Sequence, residues 1–215
     1  MTLRVNEVFY SIQGESSYAG LPCAFVRLTG CNLRCSYCDT RYAYDDGTDL
    51  TVKAIIDQVS SYRCRLVEIT GGEPLIQSET PELVSILLQE GHEVLMETNG
   101  SLDISMVDPR CVKIMDIKCP SSGQADKNDL NNLKRLSEQD EIKFVIGSRG
   151  DYGFAKELMI RHGLTLATRK KILFSCVFDK LLPRTLVEWI LEDHLDVRFQ
   201  LQLHKYIWDP RQRGV

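Results

Sequence analysis

The sequence lacks the long apolar segments that would place it in a membrane. No run of 18 apolar residues occurs among its 215 residues, and the N-terminal Met-Thr-Leu-Arg leads into a strand-like segment rather than a signal peptide. Linkers, repeats and low-complexity segments are also missing. The length is enough for one full hydrophobic core. We therefore expect a single cytoplasmic domain over residues 1–215, without a membrane partner.

The chain also has little net charge. Its formal net charge is −4, although 26% of its residues are charged and 43% are hydrophobic, which is ordinary for a globular protein. A broad electrostatic surface for nucleic acid is therefore excluded, although a local basic patch is not. We expect no nucleic-acid partner.

A second Cys-x-x-Cys pair or a His pair, which a structural zinc site would need, is absent as well. Three of the eight cysteines instead lie within residues 31–38, separated by three and then two residues. A Cys-x-x-Cys pair alone suits zinc or redox chemistry. Three thiolates on one short loop suit a cubic iron–sulfur cluster whose fourth iron stays open, because a fully protein-bound cluster has four cysteines. The remaining cysteines are odd in number and mostly apolar in context, so we expect reduced thiols rather than disulfides at Cys23, Cys64, Cys111, Cys119 and Cys176.

Residues 31–38 resemble the motif of the radical S-adenosylmethionine superfamily, Cys-x-x-x-Cys-x-aromatic-Cys, with Tyr37 as the aromatic residue. A second segment, residues 70–74, is similar to the Gly-Gly-Glu-Pro element of that superfamily. The resemblance implies a [4Fe–4S] cluster held by Cys31, Cys35 and Cys38. It also implies S-adenosylmethionine as the ligand of the open iron.

Apolar periodicity and cap residues predict alternating strands and helices. The predicted strands cover residues 5–11, 23–29, 66–70, 92–97, 112–117, 142–146, 172–177 and 197–203. Helices are predicted over residues 52–60 with Thr51 as cap, 80–90 with Thr80 as cap, 130–138, 151–162 and 185–192. This alternation predicts an α/β fold with parallel strands and right-handed crossovers. The chain is short for an eight-fold barrel of about 250 residues. The resemblance accordingly implies a partial, shortened (β/α)6-type barrel with some helices reduced.

In such barrels the site lies at the carboxyl ends of the strands. A polar residue stands at or near the end of several predicted strands: Arg27, Thr70, Glu97, Lys118, Ser175 and His204. Arg27 lies within an apolar strand, where a guanidinium is costly unless it is paired. It therefore has either a protein carboxylate partner or an anionic substrate, which its planar fork would bind.

Four segments are similar to the 7-carboxy-7-deazaguanine synthases: residues 10–16, 25–31, 38–40 and the tail 204–215. Ser16 departs from the family, which usually has glycine there, and we expect it to be tolerated if its φ is negative. The resemblance implies conversion of 6-carboxy-5,6,7,8-tetrahydropterin to 7-carboxy-7-deazaguanine and ammonia, in the 7-deazapurine pathway leading to queuosine. S-adenosylmethionine would be regenerated, and a magnesium ion would assist.

The resemblance also implies roles for residues. Contacts to S-adenosylmethionine are expected from Ser36, Tyr37, Asp39, Gly71, Gly72, Asp116, Lys118, Ser175 and Cys176. Substrate contacts are expected from Ile12, Gln13, Gly14, Glu15, Arg27, Thr70, His204 and Val215. Thr40 would bind magnesium, although on spacing alone it could equally cap a following helix. Gly71 and Gly72 could equally form an ordinary tight turn. Asp116, Lys118, Ser175 and Cys176 could equally be capping or loop residues. His204 could equally be a histidine whose hydrogen bonds are all made within the protein.

Two other functions remain open. An activating enzyme that makes a glycyl radical on a partner protein would share both cysteine and glycine motifs. A non-enzymatic zinc or iron–sulfur module would share the cysteines alone. For the enzyme implied by the resemblance, the partners are the pterin, an external electron donor such as a flavodoxin or ferredoxin, and a second copy in a homodimer.

Overall fold

The computed structural model describes residues 1–164 and 171–215, and these residues form a mostly parallel sheet flanked by helices. The strands are Thr2–Ile12 (β1), Pro22–Leu28 (β2), Thr48–Thr51 (β3), Leu66–Gly71 (β4), Glu93–Thr98 (β5), Val112–Ile117 (β6), Glu141–Ile146 (β7), Lys171–Cys176 (β8) and Arg198–Gln200 (β9). Their order is β3-β1-β2-β4-β5-β6-β7-β8-β9. All neighbours from β2 to β9 pair in parallel, whereas β1 is antiparallel to both β2 and β3. The sheet is open, which confirms the predicted partial α/β barrel.

The helices are Val52–Ser61 (α1), Thr80–Gln89 (α2), Asn132–Arg135 (α3), Arg149–His162 (α4), Pro183–Glu192 (α5) and His204–Ile207 (α6). The predicted cap of α1 is confirmed, because Thr51 Oγ1 accepts a hydrogen bond of 3.1 Å from the amide of Ala54. The predicted cap of α2 is wrong: Thr80 lies inside the helix, and its hydroxyl donates to the carbonyl of Pro74 at 2.6 Å.

Several predicted elements are shorter than expected, and one was missed. The helix predicted over 130–138 is reduced to α3, which begins at Asn132 and ends before Leu136, whose backbone is extended. The Asn132 side chain bonds to the loop carbonyls of Gly100 and Leu102. The strand predicted over 197–203 ends at Gln200. Strand β3 was not predicted, because its sequence Thr-Asp-Leu-Thr is short and mostly exposed.

The core lies on both faces of the parallel strands. Tyr152 of α4 packs edge-on against Phe174 of β8 at 6.0 Å, and Phe174 packs in the same way against Phe144 of β7 at 5.4 Å. All three side chains are almost completely buried. Each contributes about 1.5–3 kcal/mol through apolar burial. This packing holds the strand ends, and so the side chains that they carry, in fixed positions.

Residues 13–21, which we name the floor loop, connect antiparallel β1 to the start of β2. This loop therefore begins at the end of the sheet opposite the cysteine loop. It turns inward and is held by later strands: the amide of Ser16 donates to Gln200 at 2.9 Å, and Ser17 donates to the Glu141 carboxylate. The φ of Ser16 is 63°, so the condition under which serine was expected to be tolerated without strain is not met. The position is left-handed, which explains a preference for glycine.

Two expectations about the chain as a whole can be compared with the structure. All eight cysteines are free, which confirms the prediction of thiols rather than disulfides. Across residues 1–164 and 171–215, none of the helices is both long and apolar enough to cross a membrane.

Candidate functional site

A cavity of about 1030 Å³ lies where the parallel strands end. The predicted site residues that line it are Ile12, Gln13, Gly14, Glu15, Arg27, Cys31, Cys35, Tyr37, Cys38, Asp39, Thr40, Thr70, Gly71, Gly72, Asp116, Lys118, Cys176, His204 and Val215. Ser36 and Ser175 lie outside it. The Ser36 hydroxyl donates to the carbonyl of Ser121 at 2.7 Å, and Ser175 is buried beside a second cavity of about 330 Å³.

The cysteine loop brings three free thiols to one cavity. The sulfur of Cys31 accepts from the amide of Leu33 at 3.4 Å and from the side-chain amide of Asn99 at 3.9 Å. Burial raises the pKa of the Cys31 and Cys35 thiols, so a cluster would have to displace their protons on binding. Within the described chain, no three His, Cys, Asp or Glu side chains are grouped as a single-ion site. Three thiols on one loop, with amide donors directed at the sulfur of Cys31, suit an iron–sulfur cluster.

Gly71 and Gly72, at the end of β4, are required by the backbone packing around them. A Cβ on Gly71 would lie 2.1 Å from the carbonyl oxygen of Leu28, and one on Gly72 would lie 2.0 Å from that of Gly30. The amide of Glu73 donates to the carbonyl of Gly30 at 2.8 Å. The glycines are therefore needed for close contact with the backbone that enters the cysteine loop, while both still line the cavity.

Glu73, the acidic residue of the same motif, links two strand ends rather than opening onto the cavity. It is fully buried, and its carboxylate accepts from the hydroxyl of Thr98 at 2.9 Å and from the amide of Asn99 at 2.6 Å. A third bond of 3.1 Å comes from the amide of Leu75. The carboxylate thus satisfies loop amides that would otherwise be buried without partners.

Asp116 lies near the end of β6, and Lys118 directly follows the strand. They form an ion pair of 2.8 Å, which uses the Oδ2 oxygen of Asp116. The other oxygen, Oδ1, is buried without a hydrogen-bond partner in the described part of the chain. A buried oxygen without a partner in a cavity wall is available to accept a hydrogen bond from a ligand. A nucleoside hydroxyl would supply one, so these residues fit S-adenosylmethionine.

Arg27 has a protein partner, the first of the two alternatives for it. Its Nε donates to the Glu7 carboxylate at 2.7 Å, and Glu7 also accepts from the hydroxyl of Tyr42 at 3.2 Å. The guanidinium lies 5.8 Å from the centre of the Tyr42 ring. Among the described residues its two terminal nitrogens have no hydrogen-bond partner, so one edge of the fork remains directed at the cavity that Arg27 lines.

Opposite the cysteine loop lies a cluster of charged residues, of which Glu15 and Glu97 were predicted to lie at the site and Glu68 and Lys143 were not. The ammonium of Lys143 bonds to Glu97 at 2.7 Å and to Glu15 at 3.0 Å. Glu68 lies on β4, next to the strand β5 that carries Glu97. Its side chain is 3% exposed and bonds to Gln13. Burial opposes the charge on Lys143, but Glu15 and Glu97 outweigh it and raise the pKa of the lysine. Charged residues inside apolar strands were the available signal, the same one that identified Arg27.

Gln13 and His204 form part of the same wall. The Gln13 side chain is used at both ends, because its amide nitrogen donates to Glu68 and its oxygen accepts from the amide of Glu15 at 3.0 Å. A Cβ on Gly14 would lie 2.4 Å from Nδ1 of His204, so glycine makes room for the imidazole. Burial lowers the pKa of His204 against the opposing charge of Glu15, which favours a neutral imidazole.

The C-terminal segment contacts both the cysteine loop and the cavity. Lys205 of α6 pairs with Asp39 at 2.6 Å. The Arg213 guanidinium lies 3.9 Å from the centre of the Tyr42 ring. Residues 209–215 contribute to the cavity lining, which places Val215 there as predicted from the tail. Lys205, Gln202 and Tyr42 were not among the predicted site residues.

Thr40 precedes the 3-10 helix Arg41–Ala43, but its side chain makes no capping bond there within the described residues. Its hydroxyl instead donates to Asp39 at 3.1 Å and lines the cavity. The capping alternative is therefore not realised, and the hydroxyl oxygen keeps lone pairs for another partner.

Comparison with known proteins defines the class first. Residues 25–115 match the Radical SAM superfamily. The structure resembles the crystal structure of QueE from Escherichia coli, with a TM-score of 0.76 and 23% identity over 93% of this chain and 94% of that one. This likeness agrees with the fold of a radical SAM partial barrel. The superfamily implies a [4Fe–4S] cluster and S-adenosylmethionine, which the cysteine loop and Asp116 fit.

The relatives define the family. The chain is 50% identical to the 7-carboxy-7-deazaguanine synthase of Chlorobaculum tepidum, over 99% of this chain and 97% of the relative. It is 43% identical to the enzyme of the same name from Koribacter versatilis, over 99% of this chain and all of the relative. The chain therefore belongs to the 7-carboxy-7-deazaguanine synthase family of radical S-adenosylmethionine enzymes. These relatives support neither an activating enzyme nor a non-enzymatic metal module.

Proposed function

We propose that this enzyme converts 6-carboxy-5,6,7,8-tetrahydropterin to 7-carboxy-7-deazaguanine with release of ammonia, in the biosynthesis of queuosine or a related 7-deazapurine. The full-length identity to synthases of that name supports the reaction. The observation that carries this proposal is that the cysteine loop, Arg27 and the floor loop all line one shared cavity. When bound, the reduced cluster and S-adenosylmethionine supply a 5′-deoxyadenosyl radical.

The residues of this chain bind and orient the two molecules. On the cofactor side, Gly71 and Gly72 hold the strand end, and Asp116 offers an acceptor to the nucleoside. On the substrate side, Arg27 directs its unpaired edge at the pterin carboxylate. Glu15 accepts from the donor edge of the guanine-like ring, while the charge on Glu15 is held by Lys143.

Three further features belong to the proposal. Thr40 provides an oxygen ligand for a magnesium ion beside the substrate, since its hydroxyl is not used in capping. An external one-electron donor such as a flavodoxin or ferredoxin reduces the cluster. The enzyme acts as a homodimer in the cytoplasm, with residues 1–215 as one domain.

The test is turnover with the carboxypterin. Reconstituted, reduced enzyme should produce a new ultraviolet chromophore and one ammonia per product when S-adenosylmethionine is present. The proposed role of magnesium is tested with Thr40→Val. The turnover of this variant should no longer be stimulated by magnesium, while the colour of its cluster should be kept.

Deuterium at C6 of the substrate should appear in product or recovered S-adenosylmethionine if the cofactor is regenerated. Accumulation of one 5′-deoxyadenosine per product contradicts regeneration. Absence of any product with a brown, reducible protein contradicts the proposed reaction itself. An unchanged magnesium response in Thr40→Val removes the role of that residue alone.

A further inference from the structure

The cavity wall opposite the cysteine loop contains more carboxyl groups than cations. Glu15, Glu68 and Glu97 all line the cavity, and Lys143 is the ammonium that faces them. Lys143 bonds to Glu15 and to Glu97, at 3.0 and 2.7 Å. Three ionised carboxylates around one ammonium would leave a net charge of about −2 in a wall where Glu68 is buried and Glu15 and Glu97 are only partly exposed, which is unfavourable. At least one of the three therefore prefers to keep its proton.

The hydrogen bonds identify which one it is. Glu97 has Lys143 on Oε1 and the hydroxyl of Thr70 on Oε2, at 3.2 Å. Glu15 has Lys143 and two glutamine amides. Glu68 receives a single donor, the neutral amide of Gln13, and within the described residues no cation bonds to it. The carboxyl that lacks a cation is the one that stays neutral.

The other groups around Glu68 act in the same direction. The titratable or charged groups that face it from the packed elements are Glu97, Lys143, Glu15, Cys23 and Cys111. Burial raises the pKa of Glu68 well above its usual value, and the neighbouring carboxylates Glu97 and Glu15 raise it further, against Lys143 and the Gln13 bond.

We propose that Glu68 is a neutral carboxylic acid in the cavity wall and gives its proton to the nitrogen that leaves the substrate as ammonia. Gln13 orients Glu68 by donating a hydrogen bond to its Oε2 oxygen. The Oε1 oxygen of Glu68 has no partner in the described chain and remains for the substrate. The inference rests on the proposed reaction, because that reaction releases the amine.

The proton transfer balances without any additional reactant. The carbon–nitrogen bond breaks with its electron pair going to nitrogen, and nitrogen takes the proton of Glu68. The resulting carboxylate accepts the proton that the adjacent ring carbon loses as the five-membered ring becomes aromatic. Glu68 is then neutral again. An acid of this kind contributes on the order of 10²–10⁴ in rate.

The first experiment measures the protonation state without turnover. The difference infrared spectrum between wild-type and Glu68→Gln protein near neutral pH should contain the carbonyl stretch of a protonated carboxylic acid, which shifts in deuterium oxide. The band should disappear as the pH is raised. A difference spectrum with only carboxylate bands overturns the proposal, whatever the protein does with the carboxypterin.

The second experiment measures the chemical step. Glu68→Gln keeps an acceptor for Gln13 but has no acidic proton, so kcat for ammonia release should fall about 100-fold or more. The KM should change by less than about threefold, as expected when an interaction made mainly in the transition state is lost. Deuterium should still pass from C6 of the substrate into S-adenosylmethionine, because radical initiation does not need this proton.

Three controls separate chemistry from structure. Glu68→Asp keeps an acid and should recover part of the rate, whereas a purely structural role predicts no recovery. Glu93→Gln makes the same replacement at an exposed position at the start of β5 and should keep wild-type kinetics. The wild-type kcat should fall as the pH rises through the pKa of Glu68. Wild-type ammonia release by Glu68→Gln overturns the assignment, whereas an inactive wild-type enzyme with a protonated Glu68 contradicts only the proposed reaction.

Discussion

The two sides of the cavity are built by different means. On the cofactor side, short loops are held by backbone contacts: Gly72 and Glu73 bond to the backbone before Cys31, and Glu73 bonds to loop amides. On the substrate side, buried charges do the work, chiefly Lys143 between Glu15 and Glu97. Backbone contacts require particular small residues at particular spacings, whereas a charge cluster can be assembled from strands far apart in the chain.

The largest effect should come from the cofactor side. Cys35→Ala removes one of the three proposed cluster ligands, so reconstituted protein should lose its brown colour and all turnover. Absorbance of the reconstituted protein and ammonia release measure the two effects. Cys64→Ala changes a buried thiol outside the cavity and should keep both. A brown, active Cys35→Ala protein would contradict the assignment of the cluster to this loop.

On the substrate side, Lys143→Met should lower the free energy of unfolding by about 3–5 kcal/mol, because two buried carboxylates lose their common cation. In the wild type, burial raises the pKa of Glu15, but Lys143, His204 and the bond from Gln202 together outweigh burial, so the net pKa is lowered. Glu15 therefore stabilises the fold above its unfolded pKa of about 4.3, and this stabilisation is lost as pH falls through the lower folded value.

Without Lys143, the shift in the pKa of Glu15 should reverse its direction. Burial would then raise the folded pKa of Glu15, so the stability deficit of Lys143→Met should shrink as the pH falls from about 8 to about 5. Thermal unfolding across that range measures it. Lys134→Met, at an exposed position on α3, should show neither effect. A deficit that does not depend on pH would argue that Lys143 acts through packing alone.

Arg27 tests the difference between the two sides of the cavity, because it lies on the substrate side but its Nε is bonded to a protein carboxylate. Arg27→Ala should weaken binding of the carboxypterin by tens to hundreds of times, or about 2–3 kcal/mol, with little effect on S-adenosylmethionine. Arg27→Lys keeps the charge but not the fork and should also be impaired. Equilibrium binding of both ligands checks this. Unchanged pterin affinity with lower thermal stability would assign Arg27 to its ion pair with Glu7 alone.

The smallest effect is expected in the floor loop at Ser16. Ser16→Gly relieves a left-handed backbone but removes the hydroxyl that accepts from the amide of Tyr18 at 3.1 Å, so stability should change by less than about 1 kcal/mol. Ser16→Ala loses the same bond and keeps the strain, so it should be destabilised by about 1–2 kcal/mol. Chemical denaturation of the two variants side by side gives the comparison, and equal stabilities would exclude backbone strain at this position.

Much of the fold could be predicted from the sequence because the parallel strands are apolar and separated by clear breaks. Strand β6 was predicted with its observed bounds, 112–117. Strand β3 was missed because its residues are mostly exposed and carry no apolar alternation. Helix α3 is shorter than predicted, and its first residue, Asn132, is fixed by side-chain bonds to distant loop carbonyls that no local pattern contains.

The candidate site was predictable to a similar degree. The cysteine and glycine motifs lie within short segments, and their three cysteines and two glycines line the cavity together. Glu68 and Lys143 are isolated charges in apolar strands, and the sequence alone does not tell which charges on different strands meet. Arg27 shows the same limit, because its partner Glu7 lies twenty positions earlier on an antiparallel strand.

The floor loop has a consequence for engineering. It supplies Gln13, Gly14 and Glu15 to the cavity. It is attached by side-chain bonds to Glu68, Glu141, Lys143 and Gln200, among others, and by one backbone bond from Leu203 to Gly14. None of these attachments involves the cysteine loop. The segment is therefore an exchangeable module: grafting another sequence between β1 and β2 would alter which heterocycle is accepted while the radical-generating machinery stays in place.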